Sequence, residues 1–496
     1  MRPLTWLACA ALSPLLPAQG FPSDLFDSPI PAAGPWPTHE FHVADVTGDG
    51  RPDLVAPYFG LWNSVLVPAT EDGFEPGIIF VMGQAMPFEA LEVADVDVDG
   101  LSDVLVSQVG ALIVRRSLGA GVLGNQQVSD LPLTNTPFFD VLAADMQGDG
   151  LPDLVAACYL NQETWHIFGA KGKGDGTFGS FGLLLDSRYV LGLAEADVDV
   201  DGDLDLLQLA AVDGAATPAA LLTLVNDGSG ALEPLSPGEP LTADVQLDTP
   251  RDHDLDGIPD ALVFDTTQGV LTQLIGLGNG HFVAHELLDV GHPVDDAVAA
   301  DLDRDGFVDV AVVLRDDEVA TDAPVLVQRI VRDQPAGDPI ALAPPGPNHW
   351  LKAADFDLDG LLDLAVSAPV DGGDGVLVHG NGLGPVADLG HASPGGPLLS
   401  ATGELLAGEV VTLDFGVTGP PGPALLVTGV QAAPQPFLGA LVVPQPLVVV
   451  GLVAPATLSA TWPSGVPMGT LVYLQGFVAA GDGVAGSNVL LLVPQP

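Results

Sequence analysis

Short apolar runs and acidic, glycine-marked stretches alternate along this chain, and the arrangement returns seven times. Apolar runs lead in: Phe41-His42-Val43-Ala44, Leu91-Glu92-Val93-Ala94, Val141-Leu142-Ala143-Ala144, Leu191-Gly192-Leu193-Ala194, Val298-Ala299-Ala300 and Leu351-Lys352-Ala353-Ala354. Others lead out, among them Leu54-Val55-Ala56, Val104-Leu105-Val106, Leu154-Val155-Ala156, Leu206-Leu207, Leu262-Val263-Phe264, Val310-Ala311-Val312-Val313 and Leu364-Ala365-Val366. Each run is strand-length and rich in valine, leucine and alanine. The pattern predicts two antiparallel strands joined by the acidic stretch. Glycine turns recur downstream at Asp72-Gly73-Phe74, Gly174 to Gly179, Asn226-Asp227-Gly228, Gly278 to Phe282 and Gly380-Asn381-Gly382. Each predicts a second hairpin. Two hairpins per period give a four-stranded unit.

The acidic stretches begin at Asp45, Asp95, Asp145, Asp197, Asp252, Asp301 and Asp355, in steps of 50, 50, 52, 55, 49 and 54 residues. A period of this kind marks an array of supersecondary units. Seven units arranged radially make a propeller, which leaves few open sheet edges. A linear solenoid is the alternative, but repeats of about 20 to 30 residues suit it better.

Carboxylates stand at positions 1, 5 and 9 of every stretch and at position 3 of five, with glycine at position 6. The spacing suits a loop wrapped around one hard cation, with glycine allowing the sharp turn. Between the ligands, Val96 and Val98 are expected to point into a core. Five loops are complete: Asp95, Asp97, Asp99 and Asp103; Asp197, Asp199, Asp201 and Asp205; Asp252, Asp254, Asp256 and Asp260; Asp301, Asp303, Asp305 and Asp309; Asp355, Asp357, Asp359 and Asp363. Two depart at position 3: Thr47 beside Asp45, Asp49 and Asp53, and Gln147 beside Asp145, Asp149 and Asp153. Both offer a neutral oxygen, and one charge fewer weakens a site. The plain alternative is a solvated turn without metal. Four carboxylates in nine residues repel one another unless a cation sits between them, which favours the metal.

The seven units resemble the FG-GAP or VCBS repeats of extracellular proteins, including the seven-bladed propeller of integrin alpha chains. The resemblance covers residues 21–390 and implies one calcium ion per loop, up to seven. In the family the residue after the glycine contributes a backbone carbonyl, here for example Leu101 or Phe307. An EF-hand would need glutamate at position 12 and flanking helices. Position 12 is Ala56, Val106, Ala156, Gln208, Val263, Val312 or Val366, none of which chelates as glutamate does.

Composition sharpens this reading. Of 496 residues, 65 are acidic and 13 basic, a formal net charge of -52. Such an excess argues against nucleic acid and anionic membrane surfaces as partners. Large charge otherwise accompanies disorder, but 47% of the chain is apolar. The 60 glycines and 45 prolines favour short strands and tight turns over long helices. Residues 1–20, with Arg2, an apolar run to Leu16 and Ala18-Gln19-Gly20, read as a signal peptide, so the protein is expected to be secreted or displayed at the cell surface or in the periplasm. A lipid-attachment site at Cys9 fits its preceding residues poorly. Cleavage leaves Cys158 alone, expected to be a small core residue, and bound cations would serve as staples in place of a disulfide.

Residues 391–397 read as a linker, and residues 398–496, which contain no Lys or Arg, read as a small β-sandwich of about seven strands. The apolar stretch Phe437 to Val453 is interrupted by Pro444-Gln445-Pro446, so no membrane span is expected. The expected fold is thus all-β, a seven-bladed β-propeller followed by a C-terminal β-sandwich.

No catalytic constellation is legible: neither G-x-S-x-G nor H-E-x-x-H occurs. The run Gly169 to Thr177 lacks the ending of a phosphate loop and reads as a hairpin turn. Tyr58, Phe59, Trp62, Tyr159 and Trp165 are read as packing between units rather than stacking on sugars. His42 and His253 are read as surface or packing histidines. The sequence points to a calcium-binding, non-enzymatic binding or adhesion module for a protein or glycan. The alternatives are a propeller enzyme, a lyase or hydrolase acting on polysaccharide, and a purely structural surface protein.

Overall fold

A computed structural model describes the chain between residues 30 and 492, apart from connecting stretches that include 59–62, 254–255, 304–307, 359–360 and 391–397. The expected signal peptide and linker, and Phe59, Trp62, Asp254, Asp305, Asp359 and Phe307, therefore lie outside the described residues. All regular structure among the described residues is β-strand. The chain divides into two compact units, the larger being Phe21–Pro335 with Pro339–Gly384.

The larger unit holds seven main antiparallel sheets. The first runs His42–Ala44, Asp53–Tyr58, Asn63–Val67 and Ile78–Val81. The second is Ala90–Ala94, Asp103–Gln108, Ala111–Arg115 and Gln127–Asp130. The third is Phe138–Ala144, Asp153–Leu160, Thr164–Ala170 and Gly182–Ser187. The fourth is Tyr189–Ala196, Asp205–Ala211, Ala219–Asn226 and Leu232–Pro234, with Glu239–Pro240 also on its third strand. The fifth is Val245–Leu247, Ala261–Asp265, Val270–Gly276 and Phe282–Asp289. The sixth is Val294–Ala300, Asp309–Leu314, Val325–Gln328 and Ile340–Leu342.

The seventh sheet has a different plan. Leu351–Ala354, Asp363–Val370 and Gly373–His379 pair in turn, and its fourth strand is Ile30–Trp36 from the other end of the chain. Ile30 faces Val378, and Ala32 faces Val376. Pro31 and Pro35 lack amide donors, which suits a strand at a sheet edge. The Gly380-Asn381 turn therefore closes no hairpin within its own sheet.

The second strands are apolar almost without interruption because both of their faces are covered. Consecutive residues serve opposite neighbours. Val55 packs with Val104 and Val106 of the second sheet. Leu54 packs with Ala365 and Val376 of the seventh. Leu105 packs with Leu154 of the third, and Val155 with Leu206 of the fourth. Leu207 meets Val263 of the fifth, Leu262 meets Val310 of the sixth, and Ala311 meets Leu364 of the seventh. Each sheet thus buries apolar side chains against the next, and the seventh against the first. Cys158 and Trp165 are both buried, as expected of core residues.

The acidic stretches join the first two strands, as the pattern predicts. Ala44 pairs with Asp53, Ala94 with Asp103, Ala144 with Asp153, Ala196 with Asp205, Ala300 with Asp309 and Ala354 with Asp363. In the fifth sheet the strand stops at Leu247, and a single bridge joins Arg251 to Asp260. Pro250 has no amide to give a ladder there.

The smaller unit includes Pro385–Pro496. Val386–Gly390 pairs with Gly483–Leu492, so it belongs with the C-terminal strands, ahead of the boundary at 390 expected from the sequence. These two, with Val472–Ala480, Gly422–Gly429 and Val448–Ala454, form a five-stranded sheet. Leu398–Thr402, Val410–Gly416 and Ala456–Thr461 form a second, and Ala432–Phe437 with Ala440–Pro444 a hairpin. Among the described residues no helix is long and apolar enough to cross a membrane.

Candidate metal centres

Position 9 is the anchor of every loop. Asp53, Asp103, Asp153, Asp205, Asp260, Asp309 and Asp363 are all buried at the start of the second strand. Their Oδ1 atoms accept the amides of Ala69, Ser117, Gly172, Asn226, Gly276, Ile330 and Asn381 at 2.7–3.0 Å. Those seven residues end the third strand of their sheet or lie within two residues of its end. In six loops Oδ2 accepts the amide of position 2, from Val46, Val96, Val198, His253, Leu302 or Phe356, at 2.9–3.2 Å. Asp153 differs: its Oδ2 is buried and accepts no hydrogen bond. One carboxylate therefore ties the loop to two strands.

The exposed part of the loop closes on position 1. Asp45, Asp95, Asp145, Asp197 and Asp252 accept the position-6 glycine amide at 2.7–3.0 Å. Asp49, Asp99, Asp149, Asp201 and Asp256 accept the amide two residues on at 2.9–3.1 Å. The glycines at position 6 have φ between 83° and 98° in these five loops, a range that favours glycine.

Position 2 is buried in all seven loops, in agreement with the expectation for Val96. Position 4 is not. Val98 is 55% exposed and Val200 53%, and Leu358 is exposed too. All three are left-handed, with φ of 60°, 62° and 63°, which turns the side chain out of the core. In the two loops with a neutral residue at position 3 this place is taken by Gly48 and Gly148.

Four loops gather carboxylate oxygens within 4.8 Å of one another: Asp95, Asp97 and Asp99; Asp197, Asp199 and Asp205; Asp301, Asp303 and Asp309; Asp355, Asp357 and Asp363. The first and third loops bring together fewer carboxylates, because Thr47 and Gln147 replace one. The fit to a hard cation rests on Asp97 and Asp199. The Oδ1 atom of each is buried and accepts no hydrogen bond. An ionised oxygen so placed is costly without a counter-charge, and an all-oxygen donor set suits calcium.

Burial sets the electrostatics. It pushes Asp53 and Asp205 up to about 6 and Asp103 up to about 7, against the lowering effect of the amides each accepts. Asp153, Asp199 and Asp260 are raised for the same first reason. His253 is buried at position 2 and lowered to about 4 by desolvation, which keeps it neutral. Burial likewise pushes the Cys158 thiol up to about 11, far from a nucleophile's range.

The loops are also joined to one another. The position-2 carbonyls of five loops are taken by the following sheet: Val46 by Ser117 Oγ, Met146 by Asn226 Nδ2, Val198 by the Gly280 amide, Leu302 by Asn381 Nδ2 and Phe356 by Arg51 Nη1. These joining residues escape a reading of the sequence. Ser117, Asn226 and Asn381 lie 14, 21 and 18 residues beyond their position-9 aspartates, because the hairpins between differ in length.

Residues 95–156 match the family described as FG-GAP-like repeat. No curated protein sequence matches the chain. Among solved structures, the chain is similar to a lectin from Agrocybe aegerita recognising non-reducing terminal N-acetylglucosamine. Identity is 18% over 62% of this chain and 80% of that one, with a TM-score of 0.46. It is similar to BBS1N in complex with ARL6DN, at 13% identity over 73% of this chain and 96% of the other, TM-score 0.47. A third similar structure is the dihydro-heme d1 dehydrogenase NirN, at 14% identity over 70% and 73%, TM-score 0.41.

Proposed function

We propose that the protein is an exported, calcium-stapled seven-bladed β-propeller that binds a macromolecule or glycan, with a C-terminal β-sandwich for docking or display. The observation that carries the metal reading is the buried, unpartnered Oδ1 of Asp199, inside a carboxylate cluster; Asp97 Oδ1 is placed in the same way, although its Oδ2 meets Arg116. The cyclic packing of seven sheets and the pairing of Ile30–Trp36 with Gly373–His379 support the propeller. Pairing the first strand of the chain with the last hairpin would close the ring and remove an open edge.

The ligand set is positions 1, 3, 5 and 9 of each loop, with Thr47 and Gln147 contributing neutral oxygens. A bound calcium ion would supply positive charge to these carboxylates, only some of which meet a basic side chain. The chain's own part is structural: the position-9 aspartate fixes the second strand against the third, and the position-1 aspartate folds the loop over it. Metal affinity then becomes folding free energy. Acid–base catalysis fits the loops poorly, because the position-1 and position-9 aspartates accept backbone amides and the cation would take the remaining oxygens.

The test is binding of the calcium-loaded protein to a glycan array and to a panel of immobilised extracellular proteins, with chelated protein as the comparison. Saturable binding that chelation abolishes supports the proposal. Release of shortened or unsaturated oligosaccharides from a polysaccharide contradicts it in favour of an enzyme.

A further inference from the structure

Each sheet has an equivalent residue just before the one whose amide anchors the position-9 aspartate. These are Pro68, Arg116, Lys171, Val225, Ile275, Arg329 and Gly380. Three of the seven are basic in a chain with only 13 Lys and Arg, and all three reach position 3 of their own loop. Arg116 Nη1 lies 2.8 Å from Asp97 Oδ2. Arg329 Nε lies 2.7 Å from Asp303 Oδ2, and both side chains are buried. Lys171 Nζ donates to Gln147 Oε1. The same register in the first, fourth, fifth and seventh sheets offers Pro68, Val225, Ile275 and Gly380, none of which carries a charge.

We infer that the seven loops fall into two classes, set by this one register position. In the second, third and sixth loops the basic side chain is a built-in counter-charge that holds the loop in shape and weakens its affinity for calcium. In the first, fourth, fifth and seventh loops this register position supplies no charge, and the loop depends more on metal. The inference rests on the calcium reading above.

Carboxylates crowded into nine residues need a positive neighbour to stay ionised together. A tethered guanidinium or ammonium meets that need without any free ion, and it opposes an incoming divalent cation. Loop charge in turn tunes calcium affinity. The fourth loop is the clearest opposite case. It adds Asp203 at position 7 to its four ligands, and Val225 stands where Arg116 stands in the second sheet, so Asp199, whose Oδ1 is buried and unpartnered like that of Asp97, meets no base from this register.

The test uses Arg116→Met and Lys171→Met, whose side chains are partly or largely exposed, so that folding survives. Bound ions are counted by native mass spectrometry at buffered free calcium, and melting is followed with calcium and with chelator. Each variant is expected to bind its loop's calcium about tenfold more tightly, retaining one more ion than the parent at low calcium. Its melting temperature falls with chelator and recovers with calcium. Unchanged or weaker ion retention overturns the inference, since the base would then only position its partner. An equal loss of melting temperature in both conditions overturns it as well. A parent that binds no calcium at all overturns the metal reading itself, and this inference with it.

Discussion

The side-chain amide of Asn226 donates to the main-chain oxygen of Met146, 80 residues earlier, at 2.7 Å. The same amide nitrogen also donates to Leu204, and its backbone N–H donates to Asp205. One residue thereby ties position 2 of the third loop to the anchor of the fourth. Asn381 repeats the arrangement between the sixth and seventh loops.

Asn226→Ala leaves two carbonyls without their side-chain donor. The expected loss is about 2–3 kcal/mol of unfolding free energy. Denaturant titration checks it. The loss should persist in calcium, because the bond joins sheets rather than ligands.

Asp103→Asn tests the anchor. The carboxylate accepts the amides of Val96 and Ser117, and an amide group would turn a donor toward one of them. A loss of about 2 kcal/mol is expected, together with one bound ion fewer. Calorimetry and ion counting measure the two effects separately.

Val98→Gly should stabilise the chelated protein. A valine at φ of 60° stores backbone strain of about 1 kcal/mol or more. Its side chain is exposed, so little packing is lost. A higher melting temperature in chelator is the expected result, and the glycines at the same place in the first and third loops show that the conformation accepts it.

The pH dependence should change sign with calcium. In the chelated protein Asp53 and Asp205 sit at about 6 and Asp103 at about 7, above their unfolded value of 3.8. The folded state then holds more protons than the unfolded one, so stability falls as pH rises from about 4 to 7. His253, lowered to about 4, acts the other way below its unfolded value of 6.5 but is a single group. Chelated protein should therefore melt higher at about pH 5 than at about pH 8. Calcium-loaded protein should melt higher at about pH 8, where ligands are ionised and metal stays bound.

Much of this was legible in the sequence because the period and the loop spacing are themselves physical constraints. Aspartate at alternate positions and glycine at position 6 fix both the turn and its register, so the hairpins follow. Other features leave no such trace. Ile30–Trp36 has prolines instead of alternation, and only the sheet shows that it completes the seventh. Val98 alternates like a core residue, yet the left-handed turn rotates it outward. The role of Asp103 and its counterparts as acceptors for two amides depends on which backbone faces them, and residue type alone is silent on that. The bases Arg116, Lys171 and Arg329 become equivalent only once the third strands are aligned in space.

The most direct test of the account is the number of calcium ions the protein holds, followed together with its melting temperature. The account predicts five to seven ions at saturation, filling in steps, and a sharp fall in melting temperature on chelation. A protein that binds none, and unfolds at the same temperature with and without chelator, would show the loops to be plain acidic turns.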